Sequence, residues 1–321
     1  MRQWMLVAIV ILELALTAVA QPSYEVDGVT VAVSARGVIR VSDAELVGEG
    51  VFINWGPGWR WESACSWQDS WTLVGQPLIA ETVVESGGYA SCSYARLSWK
   101  VKMWIGLDSM LIELNVTAEE ASELSGMAWA FYIPISRFAN TSIVACLANG
   151  SRVDVLLRAE HVAGNYSIAW FESGVGWIVP RDGGGVFVAF LSDLWPQGLA
   201  IDVVDDREWG GDTYEIRGWL GQYLSLAPGQ VIRMLVYIDP YEEGELEEAV
   251  RVGVEALREL GEGKPLSYIR DDIVASMRLE EARESRKTVT PLLYAAAIAA
   301  FVTLIAILLG YYALRSRRTR A

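Results

Sequence analysis

A run of 24 residues without a single charge, Pro291 to Leu314, limits what this chain can become more than any other feature. As an α-helix it would reach about 36 Å, against about 30 Å for the hydrocarbon core of a bilayer. Tyr294 stands near one end and Tyr311 and Tyr312 near the other, where aromatic rings favour the headgroup level. Thr290 can cap the helix and Pro291 can occupy its first turn, where a missing N–H costs nothing. Arg315, Arg317, Arg318 and Arg320 follow at once, and the positive-inside rule keeps such a cluster in the cytoplasm. The sequence predicts a transmembrane helix over 291–314 and a basic cytoplasmic tail over 315–321, too short to fold. A buried core helix is the competing reading, and the basic cluster after an uncharged run this long argues against it.

The opposite end has the layout of a secretory signal. Arg2 precedes an apolar stretch from Trp4 to Ala20, which closes on Ala18-Val19-Ala20 before Gln21. Glu13 inside that stretch is unusual, and an uncleaved signal anchor is the alternative to a signal peptide over 1–20. Under either reading the region between the two apolar segments is exported. Its N-terminal domain is then extracellular, and the protein is a single-pass component of the cell membrane.

Export gives meaning to the cysteines and asparagines. Three cysteines, Cys65, Cys92 and Cys146, allow three pairings. Cys65 and Cys92 sit in similar Ser/aromatic surroundings, Ala64-Cys-Ser-Trp67 and Ser91-Cys-Ser-Tyr94, and are the favoured disulfide. Cys146 lies in the apolar run Ile143–Leu147 and reads as a buried free thiol. Of five asparagines, four begin an N-x-S/T sequon: Asn115, Asn140, Asn149 and Asn165. That enrichment predicts a glycoprotein with those positions on its surface. The formal net charge of −14 disfavours nucleic acid as a partner.

From Val29 to about Ile238 the chain is a succession of short β-branched and aromatic runs. Val29–Ser34, Gly37–Val41, Ala80–Glu85, Ala95–Ile105, Met110–Val116, Met127–Ile133, Arg152–Leu157, Ile168–Phe171, Val175–Val179, Val186–Leu191 and Val231–Ile238 are examples. Turn signals stand at Gly87-Gly88, Asn149-Gly150, Asp182–Gly185 and Pro228-Gly229. No helical period intervenes, so the fold class is mainly β. We expect a large antiparallel β-sandwich ectodomain over 21–240, with C-terminal amphipathic helices and one transmembrane helix. The first helix runs from Glu242 to Leu260 with Gly261 as its stop, within a segment 241–265 that packs on the sandwich. The second runs from about Tyr268 to Lys287 in a juxtamembrane stalk, 266–290. Its stripe of Ile269, Ile273 and Met277 packs lightly or pairs with another copy.

The segment Thr213–Asp239, with Ala227-Pro-Gly229 leading into its last run, resembles the final strands of galactose mutarotase-like β-supersandwich domains. The pair Ser98–Ile105 and Ser109–Val116 looks like the central hairpin of that family. The resemblance implies a large two-sheet sandwich that handles sugars. Epimerases of the family use a histidine pair with acidic partners; this chain has one histidine, His161, so no catalytic residue is carried over.

Read from the residues alone, His161 is an ordinary surface histidine in a polar loop, and no cofactor or metal is expected. The acids within Asp202–Asp212 read as a hydrated loop, with an incidental calcium site as the lesser reading. The distinctive feature is tryptophan. Trp55, Trp59 and Trp61, with Trp67 and Trp71 close behind, flank the turn Gly56-Pro57-Gly58. They either fill the sandwich core, as the tryptophans spread along the chain would, or present indole faces to a sugar ring. Three function classes stay open. One is a cell-surface protein with a recognition or structural role, binding glycan. Another is a membrane-tethered glycan-active enzyme using paired carboxylates. The third is an accessory subunit of a membrane complex. Membrane lipid around the span and self-association through the stalk complete the expected partners.

Overall fold

The computed structural model describes residues 23–26, 29–33, 39–43, 50–67, 70–75, 78–80 and 82–278. The expected signal peptide, transmembrane helix, basic tail and the stalk beyond residue 278 lie outside them. Among the described residues no helix is long and apolar enough to cross a membrane. The chain divides into two compact units, Met1–Val274 and Ala275–Ala321; of the second, only 275–278 are described, and they are helical.

The first unit is built from antiparallel strands. They are β1 (Ser23–Val26), β2 (Val29–Val33), β3 (Ile39–Asp43), β4 (Gly50–Trp55), β5 (Thr72–Leu73), β6 (Leu78–Ala80), β7 (Val83–Ser91), β8 (Arg96–Ile105) and β9 (Met110–Ala118). After them come β10 (Ser122–Pro134), β11 (Ser142–Leu147), β12 (Arg152–Leu156), β13 (Ser167–Arg181), β14 (Gly184–Leu191), β15 (Leu199–Asp205), β16 (Thr213–Leu226) and β17 (Val231–Glu242). The first three form a small meander. The rest make one hydrogen-bonded sheet, ordered β4-β10-β16-β15-β13-β14-β17-β9-β8-β7-β5, with β11 and β12 joined at β13 and β6 at β7.

A sheet this wide cannot stay open with one face so apolar, and it folds over on itself. Residues from both ends of the strand order, Phe52 on β4 and Trp99 on β8 among them, belong to one buried cluster with Trp129, Trp177, Phe190 and Tyr214. The ring of Trp129 on β10 lies 5.8 Å from that of Phe190 on β14, strands that are not neighbours in the sheet. Cys65 and Cys92 are joined by a disulfide with their Cα atoms 5.7 Å apart, tying the segment after β4 to the end of β7. Cys146 is buried on β11 with a free thiol.

The helix Leu246–Gly261 buries Ala249, Val250, Gly253, Ala256, Leu257 and Leu260 and packs on β14 and β17. It starts four residues later than its acidic run predicts. Glu242 is still paired with Gly184 in the sheet ladder, so the chain must turn before it can coil. The Glu245 carboxylate accepts from the Glu242 N–H at 3.1 Å across that turn. The next helical stretch begins at residue 266 rather than at Tyr268. Its first turns are not lightly held: Leu266, Ile269, Ile273 and Val274 are buried, and Arg270 reaches Glu113 on β9 at 3.1 Å.

Two sequence expectations are overturned inside the sheet. Gly87-Gly88 is not a turn but the middle of β7. A Cβ at Gly88 would stand 1.9 Å from the Thr72 carbonyl oxygen and 2.9 Å from the Trp99 ring, so glycine there permits close approach rather than reversal. The acidic run from Asp202 is not a hydrated loop at its start. Asp202 and Asp205 belong to β15 and are buried, so acids that signal solvent in isolation are here the inward charges of a strand.

Candidate functional site

The five strands β4-β10-β16-β15-β13 carry the site on the face opposite the main core. Alternation sets this up. On β16, Tyr214 and Ile216 enter the core, while Glu215, Arg217 and Trp219 point the other way. On β15, Ile201 and Val203 enter the core and Asp202 and Val204 oppose them. On β10 the core takes Trp129, Phe131 and Ile133, leaving Ala128, Ala130 and Tyr132 for the far face.

Register then brings the functional groups into rows. Asp202 is the cross-strand partner of Arg217, whose other neighbour is Ala130. Trp170 on β13 pairs with Asp202 from its other side. In the adjacent row Tyr132, Glu215 and Val204 are successive partners. The small Ala128 and Ala130 leave space beside the indole of Trp219 and the guanidinium of Arg217.

These rows floor a cleft of about 820 Å³, within the usual range for a small-molecule site. Arg217 is held from below: its Nε donates to Asp202 Oδ1 at 2.8 Å, and a terminal nitrogen donates to Asp202 Oδ2. Trp219 Nε1 donates to the same Oδ1 at 2.9 Å. The guanidinium lies 4.8 Å from the Trp219 ring centre and 5.6 Å from that of Trp55. Glu215, 4% exposed, accepts from the Tyr132 hydroxyl at 3.0 Å and has an Arg217 nitrogen at 3.8 Å from its other oxygen. Burial, set against Arg217 and reinforced by Asp202, pushes the Glu215 carboxyl up to about 7. Burial and the neighbouring carboxylate of Glu215 hold the Tyr132 phenol well above its ordinary range, so it stays a donor. Asp206 is raised as well, first by burial and then by Asp212 and Asp205, despite a 3.2 Å hydrogen bond from Thr213.

Aromatic rings wall the cleft. Trp55 stacks on Trp219 at 5.3 Å, and Trp59, Trp61, Trp67, Trp170, Tyr166 and Trp209 continue the lining. Of the tryptophans singled out in the sequence, Trp55 is half-buried on β4, while Trp59 and Trp61 are 42% and 47% exposed. Trp71, by contrast, is buried against Trp99. The loop that carries Trp59 is closed by paired hydrogen bonds between Gly56 and Arg60, at 2.9 and 3.1 Å. Trp59 sits at φ +62°, a left-handed conformation that disfavours a bulky residue. Tyr223, at φ +52°, is in the same region, and the two rings meet edge to face at 6.0 Å. Trp59 reaches over the cleft because Gly126 lies beneath: a Cβ there would stand 2.6 Å from Trp219 and 3.0 Å from Trp59.

On the far rim, the 3-10 turn Asp206–Trp209 presents Trp209 5.0 Å from Tyr166. Arg207 fixes this rim by donating to Asp205 and to the carbonyls of Arg158 and Ala159. His161 is only part-exposed, lying 3.4 Å from Asp205 and 3.5 Å from Glu208. Among the described residues no cluster of His, Cys, Asp and Glu is arranged to hold a metal. Asn140, Asn149 and Asn165 are exposed in turns, whereas Asn115 is half-buried in mid-strand on β9.

Asp202, Glu215, Arg217, Trp219, Tyr132, Trp170 and Trp209 were not foreseen as site residues. Their one local signal is the alternation Glu215-x-Arg217-x-Trp219 opposite Tyr214 and Ile216, which places charge on a strand face that should be either core or solvent.

No protein-family profile matches the chain, and no curated protein matches it. Among solved structures, it is similar to an Escherichia coli K12 protein assigned as an aldose 1-epimerase, at 13% identity and TM-score 0.47, covering 70% of this chain and 99% of that one. A galactose mutarotase related enzyme from Lactobacillus acidophilus matches at 10% identity and TM-score 0.42, covering 69% and 97%. Galactose 1-epimerase from Lactobacillus acidophilus NCFM matches at 10% identity and TM-score 0.40, covering 68% and 93%. The galactose mutarotase-like resemblance read in the sequence is met again among these structural neighbours.

Proposed function

We propose that this protein is a single-pass cell-surface glycoprotein whose tryptophan-lined cleft binds carbohydrate. The observation that carries the reading is one convergence: exposed Trp59, Trp61, Trp170 and Trp209 surround a floor of Asp202, Glu215 and Arg217. Indole faces stack on the apolar faces of sugar rings, and fixed carboxylates accept from hydroxyls, which are the two contacts a sugar offers. Water-exposed indoles held in place by a strained Trp59 are costly features for a purely structural surface. The uncharged run over 291–314 and the arginines behind it support an anchor that holds this cleft outside the cell.

Titration of the purified full-length chain with oligosaccharides, followed by tryptophan fluorescence, tests the binding reading. Saturable quenching is expected, and no response to any glycan class would sink it. Protease added to intact cells tests the anchor: a C-terminal tag should stay protected while the bulk of the protein is lost, and a digested tag would refute the orientation.

A second reading is favoured by Glu215 alone, whose carboxyl at about 7 is poised to give or take a proton near neutrality. It makes the protein a glycan-active enzyme, and turnover of a bound oligosaccharide distinguishes it from a binding module.

A further inference from the structure

The polar groups of the cleft are unbalanced. Among the described residues, Asp202, Asp206 and Glu215 line it against a single cation, Arg217. Most of that cation is committed: Nε and one terminal nitrogen of its guanidinium donate to Asp202, the other terminal nitrogen stands 3.8 Å from Glu215, and its flat face lies over Trp219 and Trp55. An incoming anion would meet one guanidinium already shared between Asp202 and Glu215, and more carboxyl groups than that one charge balances. Glu215 is buried, yet among the described residues one of its oxygens has only the Tyr132 hydroxyl and the other only Arg217 at 3.8 Å, beyond hydrogen-bond distance. Asp206 takes one hydrogen bond, from Thr213. Around these carboxyls the walls are indole and phenol faces, whose negative quadrupole attracts cations and repels anions.

We infer that the sugar unit seated in this cleft carries a free protonated amine, lodged between Glu215, Asp206 and the surrounding aromatic rings. The inference rests on the carbohydrate reading and narrows it. An ammonium group supplies what the site lacks: hydrogen-bond donors for the open oxygen of Glu215 and a charge that the ring faces favour. A neutral N-acetyl group offers one donor and no charge, and it adds bulk beside the Tyr132–Glu215 row. A uronate brings a further carboxylate into a buried site. Burial and its acidic neighbours already favour the protonated form of Glu215. Seating an ammonium beside it reverses that preference, and the carboxyl proton leaves to solvent as the ion pair forms.

The test is an array of matched hexose oligosaccharides, each printed in free-amine, N-acetyl and uronate forms and probed with the full-length protein near pH 6. Binding to the free-amine forms should exceed binding to the N-acetyl forms by about tenfold or more. Glu215→Gln should collapse that ratio towards one. Asp206→Asn should reduce it independently, which keeps the test decisive if the Glu215 variant folds poorly. Equal or stronger signal on N-acetyl or uronate forms would overturn the amine inference and leave the carbohydrate reading standing. Silence on all three forms would overturn both. Calorimetry in two buffers of different ionisation enthalpy gives a separate readout: a proton released on binding supports the ion pair, and no proton exchange contradicts it.

Discussion

Asp202 and Arg217 face each other across adjacent antiparallel strands, and the carboxylate takes hydrogen bonds from the guanidinium's Nε, at 2.8 Å, and from one of its terminal nitrogens. Both side chains are buried, at 3% and 7% exposure. A buried pair of this kind is worth little over an apolar pair but is costly to break on one side. Asp202→Ala should therefore destabilise the domain by about 3–5 kcal/mol, towards the lower end because Glu215 at 3.8 Å can take up part of the charge. Arg217→Met should cost far less in the Asp202→Ala background than in the wild type. Urea denaturation of the two single variants and the double variant measures the coupling, and additive effects would show that the pair is not a unit.

Glu215 makes stability depend on pH in a direction opposite to that of most carboxylates. Its folded carboxyl holds a proton up to about 7, against 4.5 for an unperturbed glutamate. Between those values the folded chain binds more protons than the unfolded one, so stability falls as pH rises. The contribution is complete below the unfolded value and is lost as pH passes through about 7. Relative to Glu215→Gln, the wild type should lose on the order of 3 kcal/mol between pH 4 and 8. Melting temperatures of both proteins across that range check the sign. A wild type that gains stability relative to the variant as pH rises would contradict the burial of this carboxyl.

The β architecture was legible because strand signals are local. Alternating and β-branched runs locate β8, β9, β14 and β17 to within a few residues. The floor of the cleft was not, because it depends on register. Nothing near Asp202 in sequence indicates that Arg217 will stand opposite it, and an acidic run gives the same local signal in a solvated loop as on a buried strand face. Gly87-Gly88 misled for the same reason: the atoms that require glycine there belong to Thr72 and Trp99, which only the fold brings near. The tryptophan cluster was legible as a feature but not as a role. Trp59 and Trp71 look alike in sequence, and only tertiary packing puts the first on a rim and the second in the core.

The Cys65–Cys92 bridge links positions 27 residues apart, and in the chain-entropy account closing a loop of that size stabilises by about 3–4 kcal/mol. Cys65→Ser with Cys92→Ser should lower stability by that order and loosen the Trp59–Trp61 loop, which lies between β4 and the bridge. Cys146 should not substitute for either partner: burial pushes its thiol up to about 11, so little thiolate forms near neutrality. Non-reducing peptide mapping of the wild type should recover the Cys65–Cys92 peptide and an unmodified Cys146. A bridge containing Cys146 would contradict this arrangement.

Trp59 and Trp61 allow stability and binding to be separated. Both side chains are more than two-fifths exposed, so truncating each removes less buried surface than truncating a core ring would. Trp59→Ala also replaces a bulky residue at φ +62°, where any side chain with a Cβ is strained, so backbone relief is small and the net change comes from lost ring contacts with Trp55, Trp219 and Tyr223. Such contacts are worth about 0.5–1.5 kcal/mol each beyond their area. At the lower end of that range, which suits rings this exposed, the three contacts of Trp59 and the two of Trp61 with Trp55 and Trp67 amount to about 2.5 kcal/mol, so the double change to alanine should cost roughly 2–3 kcal/mol of stability while abolishing glycan binding. Trp129→Ala is the contrasting case: that ring is 1% exposed and packs on Phe131 and Phe190, and its loss should cost about 3–5 kcal/mol. Paired measurements of melting temperature and glycan affinity on the three proteins decide the matter. If the Trp59/Trp61 variant loses as much stability as the Trp129 variant, the rim tryptophans are structural and the cleft loses its stacking surface. If it stays folded and still binds, the sugar is held by the floor alone.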